Sequence, residues 1–204
     1  YIIISGKSCF FVSKMDVIYR LFDLDKELFV YLNSKHTAWL DPIMLALSSF
    51  SMWLLVCILV IAMLSYRERV WRISSPVFML LSVGLNSLVN NIIKWIVARP
   101  RPLHVEAWEG IIHAIEKYEA SYSFFSAHSS NSFCLAVFSI LCIRNKFYTV
   151  AILLWAALVA YSRIYVGKHY PMDIFVGTCF GIMMGFIGYR LFEYYKEKKL
   201  QSKL

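Results

Sequence analysis

Ser162-Arg163-Ile164-Tyr165-Val166-Gly167-Lys168-His169-Tyr170-Pro171-Met172-Asp173 decides how this chain is built, because it gathers ionisable residues at the seam between two charge-free apolar stretches, Phe147 to Ser162 and Ile174 to Tyr189. Pro171 suits the first turn of a helix, where the missing amide hydrogen costs nothing. His169 and Asp173 stand four apart, a spacing at which side chains meet when the turn is helical. A carboxylate on one imidazole nitrogen sets the tautomer and leaves the lone pair of the other able to attack. A histidine and an aspartate at this spacing are commonplace, so the pair draws its weight from what surrounds it.

What surrounds it is a membrane protein. The 204 residues are 59% hydrophobic and 17% charged, against about 25% charged in a typical soluble domain. The charge-free stretches are Pro42 to Tyr66, Ile73 to Ile93, Ser129 to Ile143, Phe147 to Ser162 and Ile174 to Tyr189. The first two are long enough alone to cross a bilayer core, which takes roughly 20 residues. The other three reach that length only by taking in His128 and Phe124, Arg163 to Val166, and His169 to Asp173 respectively. Ionisable groups at such depth are costly and mark function.

The net charge of +8 raises the possibility of a nucleic-acid partner, but the cations are placed otherwise. Arg67, Arg69 and Arg72 follow the first span, Arg144 and Lys146 the third, and Arg190, Lys196, Lys198, Lys199 and Lys203 the fifth. The positive-inside tendency makes these segments cytoplasmic and puts Lys94 to Ser126 and Tyr165 to Tyr170 outside. The expected fold is an all-α polytopic membrane helical bundle of about five transmembrane helices. Leu21, Leu24, Leu28 and Leu32 recur at helical spacing among charges, which predicts an N-terminal amphipathic interfacial helix. Residues 1–204 read as a single membrane-embedded domain: an N-terminal segment 1–40, a helical core 41–195 and a basic cytoplasmic tail 196–204. The chain starts at Tyr1, so residues 1–13 are read as a native, processed or truncated terminus; Tyr1 to Val12 lacks the charged start of a signal peptide. The five cysteines show no paired or metal-ligand spacing and read as small hydrophobes.

Two further clusters share the outer side. Lys94-Trp-Ile-Val-Ala-Arg99-Pro100-Arg101-Pro102 closes the second span, where proline ends the helix; it suits either a snorkelling anchor or an anion site. Ser123-Phe-Phe-Ser126-Ala127-His128 opens the third span, and the first amides of a helix are unpaired donors that hold anions; the bland alternative is a helix cap at Ser126 and an interfacial histidine. Three clusters distant in sequence yet on one side can gather Lys94, Arg101 and Arg163 around two histidines. That is charge enough for a phosphoryl group, whose transfer depends on positioning and neutralisation. No acidic cluster of metal-ligand type accompanies them, so the expected chemistry uses neither metal nor cofactor.

At these residues the chain resembles the type 2 phosphatidic acid phosphatase superfamily. Lys94, Arg101 and Pro102 match its first motif, Lys, six residues, Arg-Pro. Ser126 and His128 match its Pro-Ser-Gly-His, while Phe125 and Ala127 replace the proline and glycine. Ser162, Arg163, His169 and Asp173 match the third motif in full. The resemblance, over residues 35 to 190, implies that His169 attacks phosphorus to form a phosphohistidine, Asp173 orients it and His128 protonates the departing oxygen. It implies that Lys94, Arg101, Ser126, the amide of Ala127 and Arg163 bind the phosphate. If position 127 needs a positive φ, which glycine tolerates and alanine does not, the phosphate loop must be arranged differently here.

The expected substrate is a lipid phosphate: undecaprenyl diphosphate first, with lipid A, phosphatidylglycerol phosphate or phosphatidic acid as alternatives. The setting is the bacterial inner membrane with the site facing the periplasm, and no obligatory protein partner is evident. A non-enzymatic anion transporter has use for the cations but not for a paired nucleophile and acid. A soluble haloperoxidase shares the anion pocket, but the apolar spans count against it. Glu116, Lys117 and Glu119 are expected on the solvated face of a short helix over the site. Asn86, Asn90 and Asn91 are expected to hydrogen-bond between helices.

Overall fold

The computed structural model describes residues 6–116 and 120–202, and all regular structure among them is helical. The chain runs α1 (Gly6–Asn33), α2 (Asp41–Ser48), α3 (Phe50–Arg67), α4 (Ser74–Val97), α5 (Ala127–Ile143), α6 (Lys146–Tyr165) and α7 (Pro171–Gln201), with short 3-10 turns in the α3–α4 and α4–α5 connections. Residues 1–5 of the expected terminus, Lys117 and Glu119 of the expected short helix, and Lys203 of the tail lie outside the described residues. So does the side chain of Cys9.

Helices α3, α4, α6 and α7 are long and apolar enough to cross a bilayer, by length and composition. The stretch from Pro42 to Tyr66, expected as one span, is two helices. Ser49 adopts an extended conformation, donates to the Ala46 carbonyl at 2.7 Å and caps α3 by accepting from the Met52 amide at 3.2 Å. Such local bonds compete with helix continuation and break the run. The 17-residue α5 sits at the centre of the bundle, with Cys134, Leu135, Ala136 and Phe138 all at 0% exposure. Around it, Leu55, Ile58 and Leu59 of α3, Leu81, Leu85 and Leu88 of α4, and Phe175 and Phe186 of α7 are exposed. An apolar belt outside an apolar core suits a helix bundle solvated by lipid.

Helices α5 and α7 approach each other closely. A side chain at Gly177 would bring its Cβ to 2.8 Å from the Ser126 carbonyl, and one at Gly181 would meet the Ser130 backbone. Small residues four apart let helix backbones touch, and here they bring the start of α5 beside the first turn of α7. The Ser126 amide donates to the Asp173 carbonyl at 3.1 Å as a result.

The N-terminal helix forms, and of its leucine stripe Leu32 packs against the cluster of Phe29, Ile164 and Tyr170. Leu21, Leu24 and Leu28 are exposed, whereas Asp25, Phe29 and Asn33 are buried. Asn33 donates to the carbonyls of Ile164 and Tyr165 and accepts from the His113 amide at 2.7 Å, pinning α1 to the end of α6 and to the α4–α5 connection. The boundary expected at residue 196 has no counterpart, because α7 continues through Gln201 and Lys196 pairs with Glu193 at 2.6 Å. Cys57, Cys134 and Cys142 are buried as expected, but Cys179 is exposed on α7.

Candidate active site

The polar end of α4 is built on one face. Asn86, Asn90 and Lys94, at i, i+4 and i+8, are all buried. Asn86 donates to the Ser130 hydroxyl at 3.0 Å and Asn90 to the Phe125 carbonyl at 2.8 Å, as expected of polar groups between spans, while Asn91 is exposed. Lys94 reaches the Tyr122 carbonyl at 2.6 Å. The helix ends at Ala98 in the left-handed region, φ 48°, before Pro100 can enter it. Arg101, only 1% exposed, donates from Nε and Nη2 to the carbonyl and hydroxyl of Ser121, each at 2.7 Å.

The turn after α6 presents the histidine. Gly167, at φ 82°, takes a conformation that side chains strain to reach. The amides of Lys168 and His169 then both donate to the Arg163 carbonyl, at 3.0 and 3.2 Å. Arg163 itself is buried and lies near the Ser48 carbonyl at 3.5 Å. His169 is 2% exposed, and its Nε2 lies 3.3 Å from Nη1 of Arg101. A guanidinium can only donate, so this contact corresponds to an Nε2 carrying the lone pair and an Nδ1 carrying the hydrogen. Nδ1 faces Asp173 at 3.5 Å and the Ser123 hydroxyl at 3.3 Å, and that hydroxyl donates to Asp173 Oδ2. The carboxylate therefore orients the ring partly through Ser123.

The start of α5 answers the question posed by Ala127. Ser126, φ −66°, is the N-cap and accepts from the Ser129 amide at 3.4 Å, and Ala127 is the first helical residue. Among the described residues, Ala98 and Arg144 are the non-glycine positions with positive φ. Position 127 makes no demand that alanine cannot meet. Phe125, 1% exposed, packs its ring 5.0 Å from Phe180. His128 is half-buried and lines a cavity of about 250 Å³ with Phe50, Trp53, Val83, Ser87, Ala127 and Asn131.

The structure thus brings Arg101, His169, Asp173, Ser126 and the backbone of Arg163 into one buried cluster, with Lys94 bound to the segment that carries Ser123. It adds residues that motif spacing did not single out. Ser123 stands between the members of the pair. Arg99 contacts Asp173 Oδ1 at 2.7 Å and Asp25 Oδ2 of α1 at 2.7 Å. Lys168 is buried and pairs with Glu116, which also accepts from Ser48, so Glu116 does not lie on a solvated face. The one available signal was proximity to motif residues, since partners from α1 cannot be read from spacing.

An enclosed cluster of cations around an oriented imidazole, at one end of a multi-pass membrane bundle, is an arrangement suited to holding an anion. The chain belongs to the PAP2 superfamily, whose model matches residues 75–197. It is 30% identical over 186 residues to a lipid A 4'-phosphatase of Porphyromonas gingivalis, covering 88% of this chain and 78% of that protein. It is 27% identical to an undecaprenyl-diphosphatase of Sulfolobus acidocaldarius, covering 87% and 83%. Its fold is similar to the crystal structure of a transmembrane PAP2-type phosphatidylglycerolphosphate phosphatase from Bacillus subtilis, with TM-score 0.69, 22% identity and coverage of 93% and 94%. The chain is therefore a membrane lipid phosphatase by family.

Proposed function

We propose that the chain dephosphorylates a lipid phosphate through a phosphohistidine on His169. In this reading Nε2 attacks phosphorus while the bond to the lipid oxygen breaks, and His128 gives its proton to that oxygen. Water then attacks the phosphohistidine, losing a proton to His128, and inorganic phosphate leaves. Arg101, Lys94, Arg163, Ser126 and the Ala127 amide hold the phosphoryl oxygens. The observation that carries the reading is the Arg101–His169–Asp173 line, in which the nucleophilic nitrogen already faces a phosphate-binding cation.

Of the candidate substrates, a lipid A phosphate has the support of the Porphyromonas gingivalis relative, and undecaprenyl diphosphate that of the Sulfolobus acidocaldarius one. Both are lipid phosphates and use the same nucleophile. We take residues 1–204 as one domain in the bacterial inner membrane. The exposed Arg67, Arg69, Arg72, Arg144, Lys146 and Arg190 face the cytoplasm and the site faces outward. The proposed reaction needs no metal.

Purified protein incubated with ³²P-labelled lipid phosphates of each class and quenched should yield an acid-labile, base-stable phosphoenzyme. Turnover without that adduct, or normal turnover by His169→Ala, rules out the mechanism. Inhibition by a chelator, reversed by a divalent cation, removes the metal-free claim. A reporter fused near Gly110 should read out on the outer side.

A further inference from the structure

We infer that α1 belongs to the reaction apparatus, Asp25 acting through Arg99 as a positioning residue for the Asp173–His169 pair; this rests on His169 being the nucleophile. The guanidinium of Arg99 is held by three constraints. Nη2 meets Asp25 Oδ2 and Nη1 meets Asp173 Oδ1, both at 2.7 Å, and its centre lies 3.7 Å from the Tyr170 ring centroid. Both carboxylate side chains are enclosed, at 4% and 0% exposure, and Arg99 itself is at 12%.

The remaining oxygens are also committed. Asp25 Oδ1 accepts from the Met172 amide at 2.7 Å, in the first turn of α7. Asp173 Oδ2 accepts from the Tyr170 amide at 3.1 Å and from Ser123. A clasp serving only to dock α1 would need Asp25 and Arg99 alone. Here the same cation spans both carboxylates, so the placement of α1 sets the orientation and field of the group that orients His169. A buried, charge-assisted bridge of this kind transmits position well and is costly to leave half-made.

Opposite charges at the two ends of the relay give opposite signatures. Replacing Arg99 by a neutral residue leaves the surroundings of His169 more negative, which favours the imidazolium and moves the acid limb of the rate profile to higher pH. Neutralising Asp25 does the reverse. The other charged and titratable groups around the pair, Lys94 and Arg101 from the α4 side, Arg163 and Lys168 from the α6 side, and Tyr170, are common to all variants and cancel in the comparison.

The test uses the full chain in dodecyl maltoside with dispersed dioctanoyl phosphatidic acid, over a range of pH. Arg99→Ala should lower kcat by about 10- to 100-fold with little change in KM, the range expected for residues that orient others. Millimolar guanidinium should restore part of that loss. Arg99→Gln should move the acid limb up and Asp25→Asn should move it down. Asp25→Glu, which keeps the charge but displaces it, should lower kcat and leave the limb in place.

The titration of His169, followed by NMR in ¹⁵N-histidine-labelled protein and identified by its loss in His169→Gln, should shift in the same two directions whether or not the lipid turns over. Shifts of one sign in both variants, or no shift, overturn the relay. Failure of guanidinium to restore Arg99→Ala also overturns it. Absence of lipid phosphate hydrolysis by the unaltered protein overturns the proposed function instead, and the NMR titration then decides the relay alone.

Discussion

The two ends of the bundle carry similar residues in opposite arrangements. At one end Lys94, Arg101, Arg163 and Lys168 are all buried, at 7% exposure or less, and Arg101 contacts His169. At the other, Arg67, Arg69, Arg72, Arg144, Lys146 and Arg190 are exposed. The best-held of these, Arg144, donates to the Tyr189 hydroxyl at 2.8 Å. Like charges repel, and holding several cations buried together is costly, a cost that a bound anion would lower. The far end does not carry that cost, since its cations are exposed to solvent. Composition alone does not separate the two ends; convergence and burial do.

The most severe way to break this contrast is at the histidine. His169→Ala should lower kcat by about four orders of magnitude, read as phosphate release from purified protein, and residual activity near that of the unaltered protein would remove the nucleophile. Next comes Arg101→Ala, expected to lower kcat/KM by about 100- to 1000-fold as a lost oxyanion donor. An effect of the same size from Arg144→Gln at the far end would abolish the contrast, because that exposed contact should move kcat/KM by less than about 2-fold.

A smaller effect sharpens how the ends are joined. Gly181→Ala sets a methyl against the Ser130 backbone, and overpacking of this kind costs about 1–3 kcal/mol. Thermal unfolding in detergent should show the loss, and activity should fall with it, since α5 and α7 carry Ser126 and Asp173. Least affected should be Tyr165→Phe. The Tyr165 hydroxyl, donating to Asp41 at 2.6 Å, holds that carboxyl below the ordinary carboxylate range. A depressed carboxyl contributes its stability above the ordinary carboxylate range and loses it as pH falls. The gap in stability between the native chain and Tyr165→Phe should therefore be full near neutrality and shrink in acid; a gap that widens in acid would contradict the assignment.

Much of the fold was legible because apolar runs and charge asymmetry act locally along the chain. The ends of α4, α5 and α6 fall within a few residues of where Lys94, Ser129 and Arg163 placed them. The break at Ser49 was hidden, since a serine in an apolar run looks like any small residue until its hydroxyl chooses a backbone partner. The buried face of α1 was hidden for a related reason. Leucines at helical spacing identify an apolar face, and in a bilayer that face can turn to lipid and leave Asp25 and Asn33 to the protein. Glu116 looked solvated because its partner, Lys168, is remote in sequence.

The sequence by itself determined that this chain is a helical membrane protein and which residues are candidates for phosphate chemistry. Length, hydropathy and residue type carry that information position by position. Only the tertiary structure decided that Ser123 stands between His169 and Asp173, that Arg99 ties Asp173 to α1, and that Ala127 begins a helix instead of straining a loop. Each depends on how helices far apart in the chain approach one another. That approach is set by backbone contact at Gly177 and Gly181 and by buried charge pairs, neither of which leaves a periodic trace in the sequence.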